Sequence, residues 1–321
     1  MFLRHKAELY AEEEQARLSV STPQEYNVWA SQNIWQQQQL PRTWVGKRFQ
    51  PSSTDFANAV KAFQIQANLK ADSKLGPTSW NRMQQTLGRE TRGLDVSKYQ
   101  GNIDWPKVVL AGYEFCIIKA TEGQDYTDTK FIQNARNAYT AGMKKILYYH
   151  FGTPQTIARG KTPAEDAIAE AKDFCAALSN VPIPKWLYTT SLSTKRYADI
   201  YLDLESDADN ITTAQGLEWC TAWIREVESN GHYVGLYSSE HWLEKEVANY
   251  QSLFRRNDES IRSFWVPRYG SNSGFPEPQY SPDDKVPDEY GTYDIWQYTS
   301  KGNVPGISGD CDLNLATVIW I

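Results

Sequence analysis

Short apolar runs alternate with longer amphipathic stretches over residues 93–321. Apolar runs bounded by turn residues predict strands, and apolar positions three and four residues apart predict helices. The predicted strands cover residues 93–96, 115–120, 145–151, 200–205, 233–238, 264–269, 293–298 and 312–317. The predicted helices cover residues 105–111, 130–141, 163–178, 213–229 and 239–250. This alternation favours a mainly parallel sheet with covering helices, and eight strands with fewer full helices indicate an irregular TIM-like (β/α) barrel of the α/β class.

A different pattern covers residues 1–88 and predicts a small all-α domain. Residues 1–50 are polar and Gln-rich, and we expect partial helix there with breaks at Pro23 and Pro41. A charged connector, residues 89–92, then leads to the barrel domain, which is predicted to span residues 93–321.

Two short helices are predicted between residue 53 and residue 88. Ser53 or Thr54 can cap the first, which begins at Asp55. Pro77, a residue suited to a first helical turn, opens the second. The apolar positions of the two helices are Phe56, Val60, Phe63, Trp80, Met83 and Leu87.

Part of this domain resembles the helical peptidoglycan-binding module of many cell-wall hydrolases. The resemblance covers about the last half of that module and rests on residues 59–64, Asp72, residues 75–78 and Trp80. Ser73 stands where the module usually has Gly. The resemblance implies that the domain binds the wall, and a helical hairpin that packs on the main domain is the alternative.

Candidate chemistry begins with residues 199–205, an apolar run that carries Asp203 and Glu205. Side chains alternate faces along a strand, so the two acids would project to one side, roughly 6–7 Å apart. Leu202 and Leu204 would point to the opposite face, as in a strand packed beneath helices. Such a pair suits acid/base catalysis, whereas acids that only end a strand and cap the next helix are the alternative.

In barrels of this type the active site lies at the C-terminal ends of the strands. Carboxylates and aromatic rings from different strands are therefore expected to converge on one cleft. The residues predicted at these ends are Asp95, Lys119, Glu122, Tyr149, His150, Asp203, Glu205, Tyr237, Trp265, Tyr269, Trp296, Gln297, Tyr298 and Asp312.

These motifs together resemble the glycoside hydrolase family 25 lysozymes, which are N-acetylmuramidases. In chain order they are Asp-Val-Ser at 95–97, Tyr-Gln-Gly at 99–101, Ile-Lys-Ala-Thr-Glu-Gly at 118–123, Tyr-His-Phe at 149–151, Asp-Leu-Glu at 203–205, Gly-Leu-Tyr-Ser at 235–238, Trp-Val-Pro-Arg-Tyr at 265–269, Ile-Trp-Gln-Tyr at 295–298 and Asp-Leu-Asn at 312–314. Each motif is weak alone, but the ordered set is specific. The resemblance implies cleavage of the β-1,4 bond between N-acetylmuramic acid and N-acetylglucosamine, with peptidoglycan glycan strands as the partner and no cofactor.

The resemblance also assigns roles to the acids. The family's proton donor falls on Glu205, which would protonate the glycosidic oxygen. Repulsion from Asp203 and burial among aromatic rings would raise the pKa of Glu205. Asp95 and Asp203 match further family acids, and one of them would stabilise the positive charge that develops on the sugar or on its acetamido group. Asp312 matches another, for which a buried, hydrogen-bonded Asp is the alternative.

Two mechanisms are open at the level of sequence. The resemblance suggests attack by the substrate's own 2-acetamido oxygen, with Asp203 orienting that group, and direct attack by a carboxylate is the alternative. The roughly 6–7 Å spacing lies between about 5–5.5 Å for retaining enzymes and about 6.5–9.5 Å for inverting enzymes, so it does not decide between them.

Several residues are predicted to contact the sugars, because aromatic rings stack on pyranose faces while phenol and amide groups bind hydroxyl and acetamido groups. These are Tyr149, Tyr237, Trp265, Tyr269 and Gln297, with Lys119 and Asp312 as further substrate-binding candidates. His150 alternates to the opposite face from Tyr149, so we expect a structural role for it. With four His and no partner motif, a Ser-His-Asp triad has little support.

Composition excludes several classes of protein. The net charge is −6 with acids and bases interspersed, whereas nucleic-acid binders carry basic patches. No stretch approaches the roughly 18–20 apolar residues of a membrane span, so no membrane insertion is expected. The four cysteines are far apart, without metal-ligand spacing, so no zinc site is predicted and no disulfide is required.

The first residues of the chain lack the apolar core of a secretory signal. We expect the protein to be made in the cytoplasm and to act in the periplasm or cell wall after delivery by a non-Sec route. A toxin with a secretion machinery and an immunity protein fits this pattern, and so does a phage lysin released by a holin.

A catalytically inactive glycan-binding protein on the same fold is the rival hypothesis. The joint presence of Asp95, Asp203 and Glu205 argues against it, because a lectin does not need these acids. Residues 181–197 form a longer connection than the family usually has before the Asp-Leu-Glu motif. They are long enough for a flap over the cleft or for a docking surface.

Overall fold

The computed structural model describes the chain at residues 21–34, 50–67, 69–86, 91–154, 157, 160–182, 200–206, 211–255, 262–276 and 293–316. The chain divides into two compact units between Arg89 and Glu90, close to the predicted connector. The predicted long connection at 181–197 lies almost entirely outside the described residues.

The first unit is helical. Its described helices are α1 (Pro23–Asn33), α2 (Thr54–Gln66) and α3 (Pro77–Thr86). Pro23 was predicted to break a helix, but it opens α1, because the N–H that proline lacks has no intrahelical partner in a first turn. Ser53 caps α2 by accepting a hydrogen bond from the backbone N–H of Phe56.

The core of this unit contains most of the apolar positions that the periodicity selected. Buried side chains from α1, α2, the following turn and α3 pack together, and they are Tyr26, Trp29, Ala30, Phe56, Ala59, Val60, Phe63, Ala67, Leu75, Trp80 and Met83. Leu87, the remaining predicted position, lies outside the described residues.

Two amide side chains hold the turn between α2 and α3. Gln64 donates from Nε2 to Asp72 Oδ1 at 2.8 Å and accepts from the Ser73 N–H at 2.9 Å. Asn27 donates to the Ser73 carbonyl at 3.0 Å and accepts from the Leu75 N–H at 2.8 Å. Ser73 has a φ of 64°, in the left-handed region that glycine adopts most readily.

The second unit is a closed barrel of strands in chain order. The strands are β1 (Thr91–Val96), β2 (Phe115–Glu122), β3 (Lys145–Phe151), β4 (Ile200–Asp203), β5 (Val234–Tyr237), β6 (Phe264–Pro267), β7 (Ile295–Gly302) and β8 (Cys311–Ala316). The described helices around it are α4 (Trp105–Leu110), α5 (Phe131–Thr140), α6 (Pro163–Ser179), α7 (Thr213–Ser229) and α8 (Glu240–Glu246). The prediction of an irregular TIM-like barrel is confirmed.

The direction of the last strand is one source of the irregularity. Strands β1 to β7 run parallel to one another, whereas β8 is antiparallel to both β7 and β1. Antiparallel neighbours need only a short connection, so residues 303–310 link β7 to β8 without a helix.

Several element bounds differ from the prediction by a few residues. Strand β1 begins at Thr91 rather than Gly93. Strand β4 ends at Asp203, so Glu205 lies beyond the strand instead of within it. Helix α8 ends at Glu246, and a separate 3-10 turn, Tyr250–Phe254, follows.

Alternation along the strands separates two layers of side chains. On β4, Ile200 and Leu202 are fully buried in the layer beneath the helices, as is Leu204 just after the strand. Tyr201 and Asp203 point to the barrel interior, where the Tyr201 ring lies against Trp265, with 5.6 Å between centroids. This alternation directs polar side chains into an otherwise apolar barrel.

Close packing between α7 and α8 depends on Gly216. A Cβ at this position would lie 2.2 Å from the backbone carbonyl oxygen of Glu246. We expect Gly216→Ala to lower the free energy of unfolding by about 1–3 kcal/mol, because the helices must move apart. Urea unfolding measures this loss. Ala214→Ser, at an exposed position of the same helix, is the control, with an expected change within about 0.5 kcal/mol. A Gly216→Ala change as small as the control's would contradict the packing argument.

None of the helices in the described ranges is both long and apolar enough to cross a bilayer. Cys116, Cys220 and Cys311 are buried, Cys175 is partly buried, and all of them are free thiols.

Candidate active site

The inward positions of the strands meet at the C-terminal mouth of the barrel. Lys119 pairs with Tyr149 in the parallel register, and Asp203 pairs with Tyr237. Asp95 lies opposite Asp312 on the antiparallel strand β8. The predicted site residues brought together here are Asp95, Lys119, Tyr149, Asp203, Glu205, Tyr237, Trp265, Tyr269, Gln297 and Asp312.

Asp95, near the end of β1, is held by two amide side chains. Gln297 Nε2 and Asn314 Nδ2 each donate to Asp95 Oδ2 at 2.8 Å. Burial raises the pKa of Asp95 well above its usual value, and the charge of Asp312 adds to the rise. The hydrogen bonds donated by the Gln297 and Asn314 amide groups oppose it. Two donors on one oxygen fix the orientation of the carboxylate.

Asn314 is a site residue that the sequence analysis did not select. Its Oδ1 accepts from the indole N–H of Trp265 at 2.8 Å, while its Nδ2 bonds Asp95. It is fully buried in β8, where Asp312 and Asn314 alternate with leucines. Polar residues at every second position of a buried strand are a signal that could have identified it.

Gln297 connects Asp95 with two tyrosines. Its Oε1 accepts from the Tyr237 hydroxyl at 2.8 Å and from the Tyr269 hydroxyl at 2.7 Å. The Tyr237 hydroxyl also lies 3.5 Å from Glu205 Oε2. These groups, predicted to bind sugar, thus bond to one another and hold β1, β5 and β7 in a fixed arrangement at the mouth.

Trp265 forms the floor of the cleft. Its side chain is 1% exposed, and the rings of Tyr149 and Tyr237 lie 6.0 Å and 4.3 Å from it between centroids. A ring enclosed in this way supports its neighbours rather than offering a face to a sugar. Tyr269 is only partly buried, which leaves it nearer to solvent than the other predicted aromatic contacts.

The two acids of the Asp-Leu-Glu motif lie in different environments. Asp203 is 4% exposed at the end of β4, whereas Glu205 is exposed at the mouth. Within the described part of the chain, Asp203 Oδ1 is buried and has no hydrogen-bond partner. A buried oxygen without a hydrogen-bond partner can accept a hydrogen bond from an N–H or O–H group of a bound ligand.

The pKa values of both acids are raised, Asp203 the more strongly. Desolvation by the surrounding protein is the largest cause for each, although part of the Glu205 side chain reaches solvent, and the positive charge of Lys119 opposes the rise in both. The predicted rise for Glu205 is present, but the like-charge repulsion acts on Asp203, the more buried acid.

Asp312 extends this group of acids across the barrel. It is half-buried, and burial raises its pKa to about 6, with the charge of Glu205 adding to the rise. Its charge in turn raises the pKa of Asp95. Over the described ranges, no cluster of three or more His, Cys, Asp or Glu side chains is arranged to hold a metal ion.

Lys119 supplies positive charge to the acids. A β-bulge in β2, between Lys119 and Thr121, precedes Glu122, whose Oε2 lies 2.5 Å from Lys119 Nζ. The ammonium group also lies 4.5 Å from the centroid of the Phe151 ring. The Lys119 side chain is 9% exposed, so its field on the acids is only weakly screened by solvent.

Removing this charge has a predictable effect on pH dependence. The Lys119 charge lowers the pKa of Glu205, so Lys119→Met raises that pKa and keeps the acid protonated to higher pH. We expect the alkaline limb of the profile of kcat/KM against pH to move to higher pH. Lys119→Arg keeps the charge and is the matched control. Its alkaline limb is expected to lie near the wild-type position. An unchanged limb or a downward shift in Lys119→Met would contradict the electrostatic argument.

His150 faces the helices rather than the cleft, as its alternation with Tyr149 predicts. Its Nδ1 lies 2.8 Å from Thr121 Oγ1, and its Nε2 lies 2.8 Å from Glu170 Oε2 of α6. The imidazole stacks on Trp223 of α7 with 5.2 Å between centroids. These contacts anchor β3 to α6 and α7.

Comparison with known proteins identifies relatives of the barrel. A family model described as glycosyl hydrolases family 25 matches residues 94–307, a range that includes Asp95, Asp203 and Glu205. Lysozyme M1 of Streptomyces globisporus is 28% identical over 229 residues, a match that covers 70% of this chain and 66% of that protein, just under two thirds of its length.

Two further matches agree with this result. The N,O-diacetylmuramidase of Chalaropsis sp. is 25% identical over 233 residues, which cover 69% of this chain and 95% of that protein. The solved structure of the bacterial lysozyme from Streptomyces coelicolor is 28% identical, with a TM-score of 0.53, and the match covers 71% of this chain and 92% of that one.

Proposed function

Since the chain belongs to glycosyl hydrolase family 25, we propose that it cleaves the β-1,4 bond between N-acetylmuramic acid and N-acetylglucosamine in peptidoglycan. The observation that carries this proposal is the pair of unlike acids, Glu205 exposed at the mouth and Asp203 buried with an unpaired oxygen, beside a fixed Asp95. The names of two similar proteins, a lysozyme and an N,O-diacetylmuramidase, support the choice of bond.

Glu205 is the proposed general acid. Its exposure places the carboxyl within reach of the glycosidic oxygen of a sugar chain that lies across the mouth. A bound sugar excludes water from this carboxyl and raises its pKa further, because desolvation disfavours the charged form. Substrate binding therefore favours the protonated state that the acid step requires.

Asp203 has the complementary role of orienting the 2-acetamido group. In the proposed complex the acetamido N–H donates to the unpaired Asp203 Oδ1. A hydrogen bond to the ionised form lowers the pKa of Asp203, while coverage by the sugar raises that of Glu205. Both effects favour a complex in which Asp203 is ionised and Glu205 is protonated.

The reaction then proceeds with assistance from the substrate. The acetamido oxygen forms a bond to C1 as the bond from C1 to the glycosidic oxygen breaks, and that oxygen takes the proton from Glu205. Water, deprotonated by Glu205, next attacks C1 and releases the acetamido oxygen, so the anomeric configuration is retained. Asp95, oriented by Gln297 and Asn314, places a carboxylate beside the developing positive charge.

The biological role that follows from this activity is lysis of a bacterial cell wall. The proposed site of action is the periplasm or the wall, reached either as a toxin through a secretion machinery or as a phage-type lysin. An immunity protein encoded next to the enzyme that blocks its activity would favour the toxin, and a neighbouring holin would favour the lysin.

The products of digestion test the proposal directly. Purified peptidoglycan is incubated with the full chain, the new reducing ends are converted to alditols with borohydride, and mass spectrometry identifies them. Muramitol ends are the expected result. Glucosaminitol ends would overturn the proposed bond, and wall binding without new ends would favour the inactive glycan-binding protein.

A further inference from the structure

A short turn after β1 presents two side chains to solvent on a fixed backbone. The 3-10 turn Lys98–Gln100 carries Lys98, which is exposed, and Tyr99, which is 79% exposed. Ser97 accepts from the Tyr99 N–H through Oγ at 3.3 Å, and its own N–H donates to Gln100 Oε1 at 2.9 Å. Hydrogen bonds at both ends of the turn keep its backbone in one conformation.

A buried carboxylate from the next loop also holds this turn. Asp128 is 3% exposed and accepts from the backbone N–H of Lys98 at 2.9 Å and from that of Lys130 at 2.8 Å. The turn is thus attached to the loop that leads from β2 to α5. An exposed aromatic ring on a backbone that is already ordered loses little conformational entropy when it binds a ligand.

Lys98 has an ammonium group that is not neutralised. Its Nζ lies 5.3 Å from the centroid of the Tyr99 ring and 4.9 Å from that of the Tyr126 ring. The described residues provide no carboxylate that forms an ion pair with it. The Lys98 side chain is exposed, so its ammonium group stays hydrated and is positively charged at neutral pH. We call Lys98, Tyr99 and Tyr126 the rim platform.

The rim platform lies beside the acids of the cleft. The turn directly follows the C-terminal end of β1, and the neighbouring strand β2 ends at Glu122, whose carboxylate bonds Lys119. Lys119 in turn acts on Asp203 and Glu205. The platform is therefore on the β1 and β2 side of the mouth, beyond the pair formed by Lys119 and Glu122.

We propose that the rim platform binds the peptide stem of peptidoglycan, with Lys98 pairing with a stem carboxylate and Tyr99 packing against the peptide. This inference rests on the proposed function, because it concerns the same substrate. In a glycan strand that carries stems, the carboxyl group of each lactyl ether is joined to a peptide, so the free carboxylates belong to the stems. A cation that forms no ion pair with a carboxylate of the described residues favours these groups over neutral sugar hydroxyls, and the flat ring beside it can cover the apolar part of a stem.

The test compares two substrates that differ in the stems and in the lactyl carboxylates, which the removal of the stems sets free. One is soluble peptidoglycan with intact stems, and the other is the same glycan after an amidase has removed them. We expect Lys98→Ala and Tyr99→Ala each to lower kcat/KM about three- to fivefold on the stemmed substrate and to leave the stem-free value unchanged. The advantage of wild type over Lys98→Ala should shrink as salt is added, since an exposed ion pair is screened.

Lys144→Ala is the matched control. Lys144 is also an exposed lysine, but it precedes β3 at the other end of the barrel and pairs with Glu114. Its removal is expected to change neither value. If the enzyme does not cut the stem-free strands, they are tested as inhibitors of cleavage of the stemmed substrate. Their inhibition constant for each variant is then compared in place of kcat/KM.

Two results would overturn the inference while the proposed function stands. Equal losses on both substrates would mean that the rim platform contacts the sugar or its lactyl group instead of the stem, and no loss on either would mean that it binds nothing. A wild-type protein that cuts neither substrate would instead overturn the proposed function itself.

Discussion

Glu205→Gln is expected to lower kcat on peptidoglycan by about 10²- to 10⁴-fold, the usual contribution of a general acid. Glutamine has the same shape as the protonated acid, but it has no proton to give to the leaving oxygen. Binding should persist, because the side chain remains in place at the mouth. Reducing-end release measures the rate, and a wall pull-down measures binding.

A substrate with a good leaving group makes this result specific. An aryl glycoside of the cleaved sugar releases a phenolate that needs little protonation, so the loss in Glu205→Gln should be much smaller on that substrate. Glu218→Gln, an exposed Glu on α7, is the control with an expected wild-type rate. A Glu205→Gln protein that loses the same factor on both substrates would argue against proton donation by Glu205.

Asp203→Asn is expected to lower kcat by about 10²- to 10³-fold, the scale of one preorganised electrostatic group. Asparagine can still accept a hydrogen bond from the acetamido N–H, but it carries no negative charge to stabilise the cation that forms. The backbone carbonyl of residue 203, which accepts from the Gly152 N–H at 2.9 Å, is unaffected.

The same substitution should increase stability at neutral pH. Burial raises the pKa of Asp203 in the folded state above its usual value of 3.8, so ionisation costs folding free energy as the pH rises past that value. Asn does not ionise, so we expect a higher Tm for the variant at pH 7 and a smaller difference in acid. Thermal unfolding at both pH values, together with kcat, tests this.

A gain in Tm combined with a loss in kcat would show that the buried acid is kept for activity at the expense of stability. A loss of both would mean that Asp203 supports the fold, and the proposed role in orienting the acetamido group would then be wrong. Glu218→Gln again serves as the control, since it also removes a negative charge, from an exposed position, and should change neither quantity.

The contrast between the two acids was beyond the reach of the sequence. Strand alternation treats Asp203 and Glu205 as equivalent, two residues apart on one face. In the structure β4 ends at Asp203, which is buried, while Glu205 emerges at the mouth. Their different pKa shifts follow from that placement, because desolvation depends on the surrounding chain rather than on spacing.

The hydrogen bonds that orient Asp95 are a second example. Asn314 and Gln297 donate to it from positions 219 and 202 residues away in the chain. The antiparallel direction of β8 brings Asn314 to the interior of the barrel near Asp95, and an apolar run carries no information about direction. Asn314 was therefore missed, although its alternation with leucines was visible.

The features that depend on residues close together in the chain could be predicted from the amino-acid sequence. Apolar runs and helical periodicity placed the strands and helices of the barrel, and alternation placed Tyr149 on the opposite face from His150, because both patterns repeat over a few residues. The folded barrel was needed to establish the direction of β8, the unequal burial of Asp203 and Glu205, the hydrogen bonds from amide side chains to Asp95, and the rim platform around Lys98. These depend on which distant segments meet, and their energies come from burial and from charges brought close by the closed barrel.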